Sequence, residues 1–88
     1  MSYKLNFSKQ AVDDIEYHKK SGNKIILKKL LILLNELTIH PTEGTGKPEL
    51  LKYNLTGFWS RRINQEHRLV YEIINEAIHI HSALRHYE

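Results

Sequence analysis

The sequence predicts an α+β fold: two N-terminal helices packed on one face of a small, mainly antiparallel sheet of four to five strands. Three observations carry it. Apolar residues at helical spacing are confined to residues 9–37, alternating β-type runs fill residues 58–86, and the stretch between them, residues 41–57, holds both prolines and three of the four glycines. With 88 residues the chain makes a single domain, residues 1–88, around one core, and a domain of that size is only marginally stable by itself.

The elements follow in order. Residues 3–7 alternate and read as a short strand. Ser8 is placed to cap a helix over residues 9–20 that turns Ala11, Ile15 and His18 inward. Gly22 suits the position just past that helix, and Asn23 suits the cap of the next. In the second helix Ile26, Leu30, Leu33, Leu34 and Leu37 recur at helical spacing, with Lys24, Lys28 and Lys29 outside. So broad a stripe implies burial against a sheet or against a second copy of the chain. Pro41 stops the helix. Residues 41–57 then form an irregular loop with a short turn or strand at 50–55, and a loop that long in so small a domain tends to be functional. Strands are expected at 58–64, 67–74 and 77–86, joined by turns at Gln65-Glu66 and Asn75-Glu76.

Composition narrows the function. There is no cysteine, which removes disulfides and cysteine-based zinc sites. The longest apolar run, residues 30–34, is far below the roughly 20 residues that span a bilayer, and Met1-Ser2-Tyr3-Lys4 leads into no signal-peptide region, so a cytoplasmic protein without membrane association is expected. The formal net charge of +3 suits a polyanionic partner, although many small basic proteins bind none. Distribution says more. All four arginines, Arg61, Arg62, Arg68 and Arg85, fall in the last 28 residues, whereas seven of the nine lysines fall in the first 29. Arginine's rigid fork suits bidentate phosphate contact, so the chain divides into a scaffold half and a functional half.

The functional half holds the parts for cutting RNA through its own 2′-hydroxyl: a base, an acid and cations to stabilise the charge that develops on phosphorus. Glu49, after Pro48 and between Lys47 and Lys52, is the candidate base. On spacing alone it reads first as a solvated loop carboxylate. His86 is the candidate acid, since an imidazole can hold a proton near neutrality; by itself it reads first as a frayed terminal histidine. Tyr87 can hydrogen-bond, stack on a base or cover a sheet edge. Arg68 needs a partner, either Glu72 or a ligand phosphate. Arg61 and Arg62 point to opposite faces of their strand, so at most one shares a cleft with Arg68, and of Phe58 and Trp59 one belongs in the core. His79 and His81 share a face without an evident third metal ligand, and GTGKPE lacks P-loop spacing, so neither a metal nor a cofactor is expected.

The segments EGTGKPE, GFWSRRI and EHRLVY, closing with RHY, stand in the order and spacing of YoeB-type toxins of the RelE/ParE superfamily, which the chain resembles over nearly its whole length. That resemblance implies the RelE-like fold described above and a ribosome-dependent mRNA endonuclease acting in the ribosomal A site. It implies Glu49 as general base, His86 as general acid and Arg68 as transition-state stabiliser, with Lys52 and Arg62 on phosphate and Tyr87 as the terminal aromatic. It further implies a YefM-type antitoxin that blocks the site, and a homodimer. The chain departs from the pattern by one residue, Glu88, beyond the usual terminal tyrosine. A rival function on the same fold is a non-catalytic toxin that inhibits a protein such as gyrase by binding; it leaves Glu49 and His86 without a chemical task.

Overall fold

A computed structural model describes residues 2–52 and 56–85 of the chain. In order the elements are β1 (Lys4–Phe7), α1 (Lys9–Lys20), α2 (Lys24–Leu37), β2 (Glu49–Leu50), β3 (Phe58–Arg62), β4 (Arg68–Ile74) and β5 (Ala77–Ser82). The helices begin where their caps predict. The Ser8 hydroxyl accepts from the Ala11 N–H, and the Asn23 side chain accepts from the Ile26 N–H, each satisfying an orphan donor of a first turn. Gly22, at φ +73°, turns the chain between them at a dihedral that a side chain would resist.

The five strands form one sheet in the order β1-β5-β4-β3-β2. Consecutive strands from β2 to β5 pair antiparallel, whereas β1 lies parallel to β5 at the far edge, with Leu5 opposite Ile78 and Phe7 opposite Ile80. The long connection through both helices is what allows that parallel pairing. Both helices cover one face. Leu30, Leu33 and Leu37 of α2 and Ala11 of α1 meet Ile63, Leu69, Tyr71, Ile78 and Ile80 of the sheet half, all buried in one cluster. Leu34 and Ile15 are only partly buried at its margin.

Three details differ from the pattern reading. The short strand in the loop is at Glu49–Leu50, and residues 53–55 of the expected 50–55 stretch lie outside the described residues. The hairpin strand β3 ends at Arg62, because the Asn64 side chain accepts from the N–H groups of Glu66 and His67 and closes a turn before the ladder can continue. The strand β5 ends at Ser82. Its ladder to β4 carries a bulge: Tyr71 pairs with Ile80 but Val70 pairs with Ser82, leaving His81 extra. A bulge reverses the alternation beyond it, so the core takes Ala83 after Ile80, in place of the Leu84 that simple alternation selects.

Inside the sheet–helix layer sits a buried cation. Arg61 is fully buried, and all five of its N–H groups donate: Nε to the Tyr71 hydroxyl, Nη1 to Glu36 Oε1 at 2.8 Å and to the Thr45 carbonyl, and Nη2 to the carbonyls of His40 and Glu43. Glu36 accepts in addition from the Thr45 hydroxyl and N–H, and Tyr71 donates to the Pro41 carbonyl at 2.6 Å. The loop 40–46 is therefore tied to α2 and to the sheet by one side chain. Two glycines make room for it. A Cβ at Gly44 would stand 2.3 Å from Glu36 Oε1, and one at Gly46 would stand 2.7 Å from the Arg62 carbonyl.

Arg61→Met leaves three carbonyls and a carboxylate without their donor, and should destabilise the protein by about 3 kcal/mol or more in urea unfolding. The Thr45 hydroxyl above all, then its N–H and Arg61, hold the Glu36 carboxyl below its ordinary pKa against the opposing effect of burial. Its folded value being depressed, the stabilisation is whole above the ordinary glutamate pKa and is lost as pH falls through the depressed one. Glu36→Gln should accordingly flatten the acid limb of a plot of unfolding midpoint against pH.

Candidate nucleic-acid site

Strand alternation sends Trp59, Arg61 and Ile63 toward the helices, and Phe58, Ser60 and Arg62 toward the face that no helix covers. Trp59 packs against the core, while Phe58 stacks on His81 with ring centroids 4.5 Å apart and planes at 6°. His81 Nε2 in turn donates to Glu72 at 3.2 Å. That pairing engages one member of the His79/His81 pattern, and among the described residues no group of three side chains is arranged to hold a metal.

On the open face Arg62 stands directly opposite Arg68 in the β3–β4 ladder. Like charges so placed repel, at a cost of up to about 1 kcal/mol. Among the described residues no carboxylate pairs with either arginine. Arg62 is exposed, and among the described residues the Arg68 Nη1 donates to the carbonyls of Asn64 at 3.0 Å and His67 at 3.3 Å. The partner that the sequence offered for Arg68, Glu72, is occupied by His81.

These two arginines share a cavity of about 390 Å³ with Lys29 of α2, Lys47, Asn64 and Gln65. Among the described residues its walls carry four cations and no acid. None of the four makes an ion pair among the described residues. Lys47 is held there by its backbone: the Gly46 carbonyl accepts from the Arg62 N–H at 2.7 Å, and Lys47 itself adopts φ +50°. The glycine-rich segment is thus a bracket that sets a lysine beside Arg62.

Glu49 is brought to the same face and is exposed. It pairs with Ser60, two residues along β3 from Arg62. Strand and pleat spacings put its Cα about 8 Å from that of Arg62 and roughly 12 Å from that of Arg68. It does not line the cavity; it stands beside it. Lys52 is exposed just past β2. The remaining expected site residues, His86 and Tyr87, together with Glu88, lie outside the described residues.

Sequence reading missed Lys29 and Lys47 as wall residues, because their neighbours in the cavity come from distant parts of the chain. It also missed a buried polar cluster behind the C-terminal strand. Asp14, His18 and His67 are all nearly inaccessible, and each bonds to the main chain of residues 83–85. The signal available was slight: an aspartate on the apolar side of α1, one turn from His18.

Comparison with known proteins bears on this site. The family described as "YoeB-like toxin of bacterial type II toxin-antitoxin system" matches residues 7–87. The chain is 44% identical over 84 residues to Toxin YoeB of Escherichia coli strain K12, covering 96% of this chain and 99% of that one. Among solved structures, the YoeB dimer of Staphylococcus aureus superimposes with a TM-score of 0.85 at 45% identity, covering 97% of this chain and 98% of the other. The YoeB–YefM complex of the same organism gives 0.84 at 46% identity, with the same coverage. Family match, identity over almost the full length and shared topology agree, and the chain belongs to the YoeB-like toxins of bacterial type II toxin–antitoxin systems.

Proposed function

We propose that this toxin is an endoribonuclease that cuts mRNA on the ribosome, in the A site, and so arrests translation in the cytoplasm. The observation that carries the reading is the pair Arg62–Arg68, opposed across two strands in a cavity with Lys29 and Lys47, where among the described residues none of the four cations has an ion-pair partner. A fold keeps mutually repelling cations in place where a polyanion relieves the repulsion on binding.

The chemistry runs through the RNA's own hydroxyl. Glu49 takes the proton from a 2′-oxygen, which attacks the adjacent phosphorus, and the bond from phosphorus to the 5′-oxygen breaks. His86 gives its proton to that departing oxygen. The products are a 2′,3′-cyclic phosphate and a free 5′-hydroxyl. Arg68 stabilises the charge that grows on the non-bridging oxygens, while Arg62 and Lys52 hold flanking phosphates. Tyr87 stacks on a base or donates a hydrogen bond beside the acid. No cofactor or metal enters this scheme.

The same charge defines the antagonist. The relative from Staphylococcus aureus is held in a complex with YefM, and for this chain a YefM-type antitoxin with an acidic segment seated over Arg62 and Arg68 fits the cavity. A second copy of the toxin fits elsewhere: Ile25, Leu31 and Ile32 of α2 and Ile39 just beyond it are exposed apolar residues, and the Staphylococcus aureus relative is a dimer.

Binding and chemistry should separate. Arg62→Ala is expected to weaken association with ribosome-bound mRNA and to lower the slope of log affinity against log salt by about 1. Glu49→Ala is expected to leave affinity near wild type and to lower the cleavage rate at saturation by about a hundredfold or more. Equal loss of binding in both variants would mean that Glu49 is structural, and full binding without cleavage by the wild type would favour a non-catalytic toxin.

End-group analysis of the cut RNA should find the cyclic phosphate. Treating the toxin alone with a chelator before it meets intact ribosomes should leave the rate unchanged. Linear 3′-phosphate as the first product, or a rate restored only by adding back a divalent ion, would point to another mechanism.

A further inference from the structure

The C-terminal segment leaves the sheet under tight main-chain control. Ala83 donates its N–H to Asp14 Oδ2 at 2.9 Å, and its carbonyl accepts from His18 Nε2 at 2.7 Å. Two residues on, the Arg85 N–H donates to His67 Nδ1 at 2.7 Å, and its carbonyl accepts from the Arg68 N–H at 2.8 Å. Arg85 is held at φ +61°, which a non-glycine residue adopts only when its surroundings impose it.

The side chains that do this are a cluster. Asp14 and His18 come from α1 one turn apart, and the His18 and His67 rings meet edge-to-face at 4.7 Å. Gln10 fixes the other oxygen of Asp14 at 2.7 Å, and the Asn64 side chain fixes the main chain of His67. Three buried polar side chains are thus devoted to three main-chain groups within a segment that gives only Ala83 to the core. Packing alone calls for none of them.

We propose that Asp14, His18 and His67 are positioning residues, a clamp that fixes the main chain from Ala83 to Arg85, directly before His86 in the sequence, and that the clamp opens when His67 gains a proton. This rests on the reading of His86 as the acid. The chemistry of opening is direct. Nδ1 accepts the Arg85 N–H only while it carries a lone pair; once protonated it faces that N–H donor to donor. The groups around His67 are Asp14 and His18 from α1, Glu66 from its own turn and Arg85 from the C-terminal segment. Burial above all, with His18 and Arg85 adding to it and Glu66 and Asp14 opposing, lowers the His67 pKa below the ordinary histidine value. The clamp is closed at neutral pH and opens below that range.

The test uses the intact toxin with translating ribosomes under single-turnover conditions. His67→Phe removes the acceptor and should lower the rate at saturation by about tenfold or more with an unchanged KM, since a misplaced acid slows chemistry and spares binding. His67→Asn, whose Oδ1 accepts the same N–H and does not titrate, should recover that rate and remove one protonation from the acid limb of the pH–rate profile. In the wild type, the Arg85 amide resonance should shift as the His67 ring titrates, while the amides of Tyr71 and Ile80 stay fixed. An Arg85 amide indifferent to that titration overturns the clamp, whether or not the variants fold. An undiminished rate in a folded His67→Phe overturns its role in the reaction. Full cleavage by His86→Ala instead overturns the acid assignment and with it the catalytic purpose of the clamp, and the Arg85 amide still reports the contact itself.

Discussion

The molecule is organised around a guanidinium that never meets solvent. A buried charge is tolerated only with its hydrogen-bonding capacity filled, and all five donors of Arg61 find acceptors, drawn from α2, the loop after it and β4. Because three of its acceptors are main-chain carbonyls of residues 40–45, it orders a loop whose own sequence, rich in proline and glycine, specifies no regular structure. Tyr71 closes the circuit: burial raises its hydroxyl above the ordinary tyrosine pKa, so it stays protonated, donating to Pro41 while accepting from Arg61. The cost of ordering a long loop in a small domain is met by one polar cluster.

That buried cluster sets the geometry of the exposed one. Arg62 is the next residue and faces the opposite way, and its N–H is held by the carbonyl of Gly46, which follows the loop anchored by Arg61. The position of Lys47 in the cavity therefore depends on Arg61 through the loop, with no contact between the two charges. The pair of adjacent arginines divides the work between the faces of one strand. One is neutralised and structural; the other stands opposite Arg68 with no ion pair among the described residues. Stability and binding are partitioned by the alternation of β-structure itself.

Much of this was legible because local rules and tertiary packing agree. Ser8, Gly22 and Asn23 mark their helix ends through backbone groups a few residues away, so the sequence carries the whole signal. Arg61 and Arg62 could be assigned to opposite faces but not to inside and outside, since Glu36 and the carbonyls that make burial affordable are contributed from 16 to 25 positions away. The end of β5 was misread for a different reason. Strict alternation gives Leu84 the parity of Ile80, and the bulge at His81 breaks that parity without any glycine or proline to announce it. Glu49 and Lys52 were named from a motif; the register Glu49–Ser60 supplies the physical content, since it sets the carboxylate on the face that carries Arg62.

The buried polar residues around Arg61 and those beyond β5 then acquire a common logic. Arg61 bonds the carbonyls of a loop, and Asp14, His18 and His67 bond the N–H and carbonyl groups of residues 83–85. In both places the fold grips main chain, which specifies where a segment runs while leaving its side chains free. Apolar packing cannot do this, because it fixes a segment by burying the very side chains that a functional surface must expose. A domain of 88 residues has little core to spend on such segments. Directional bonds from a few buried polar residues let it hold Lys47 beside Arg62, and the exit of the chain beside Arg68, with no further hydrophobic layer. The consequence is a site whose geometry is set from behind, by residues that solvent scarcely reaches.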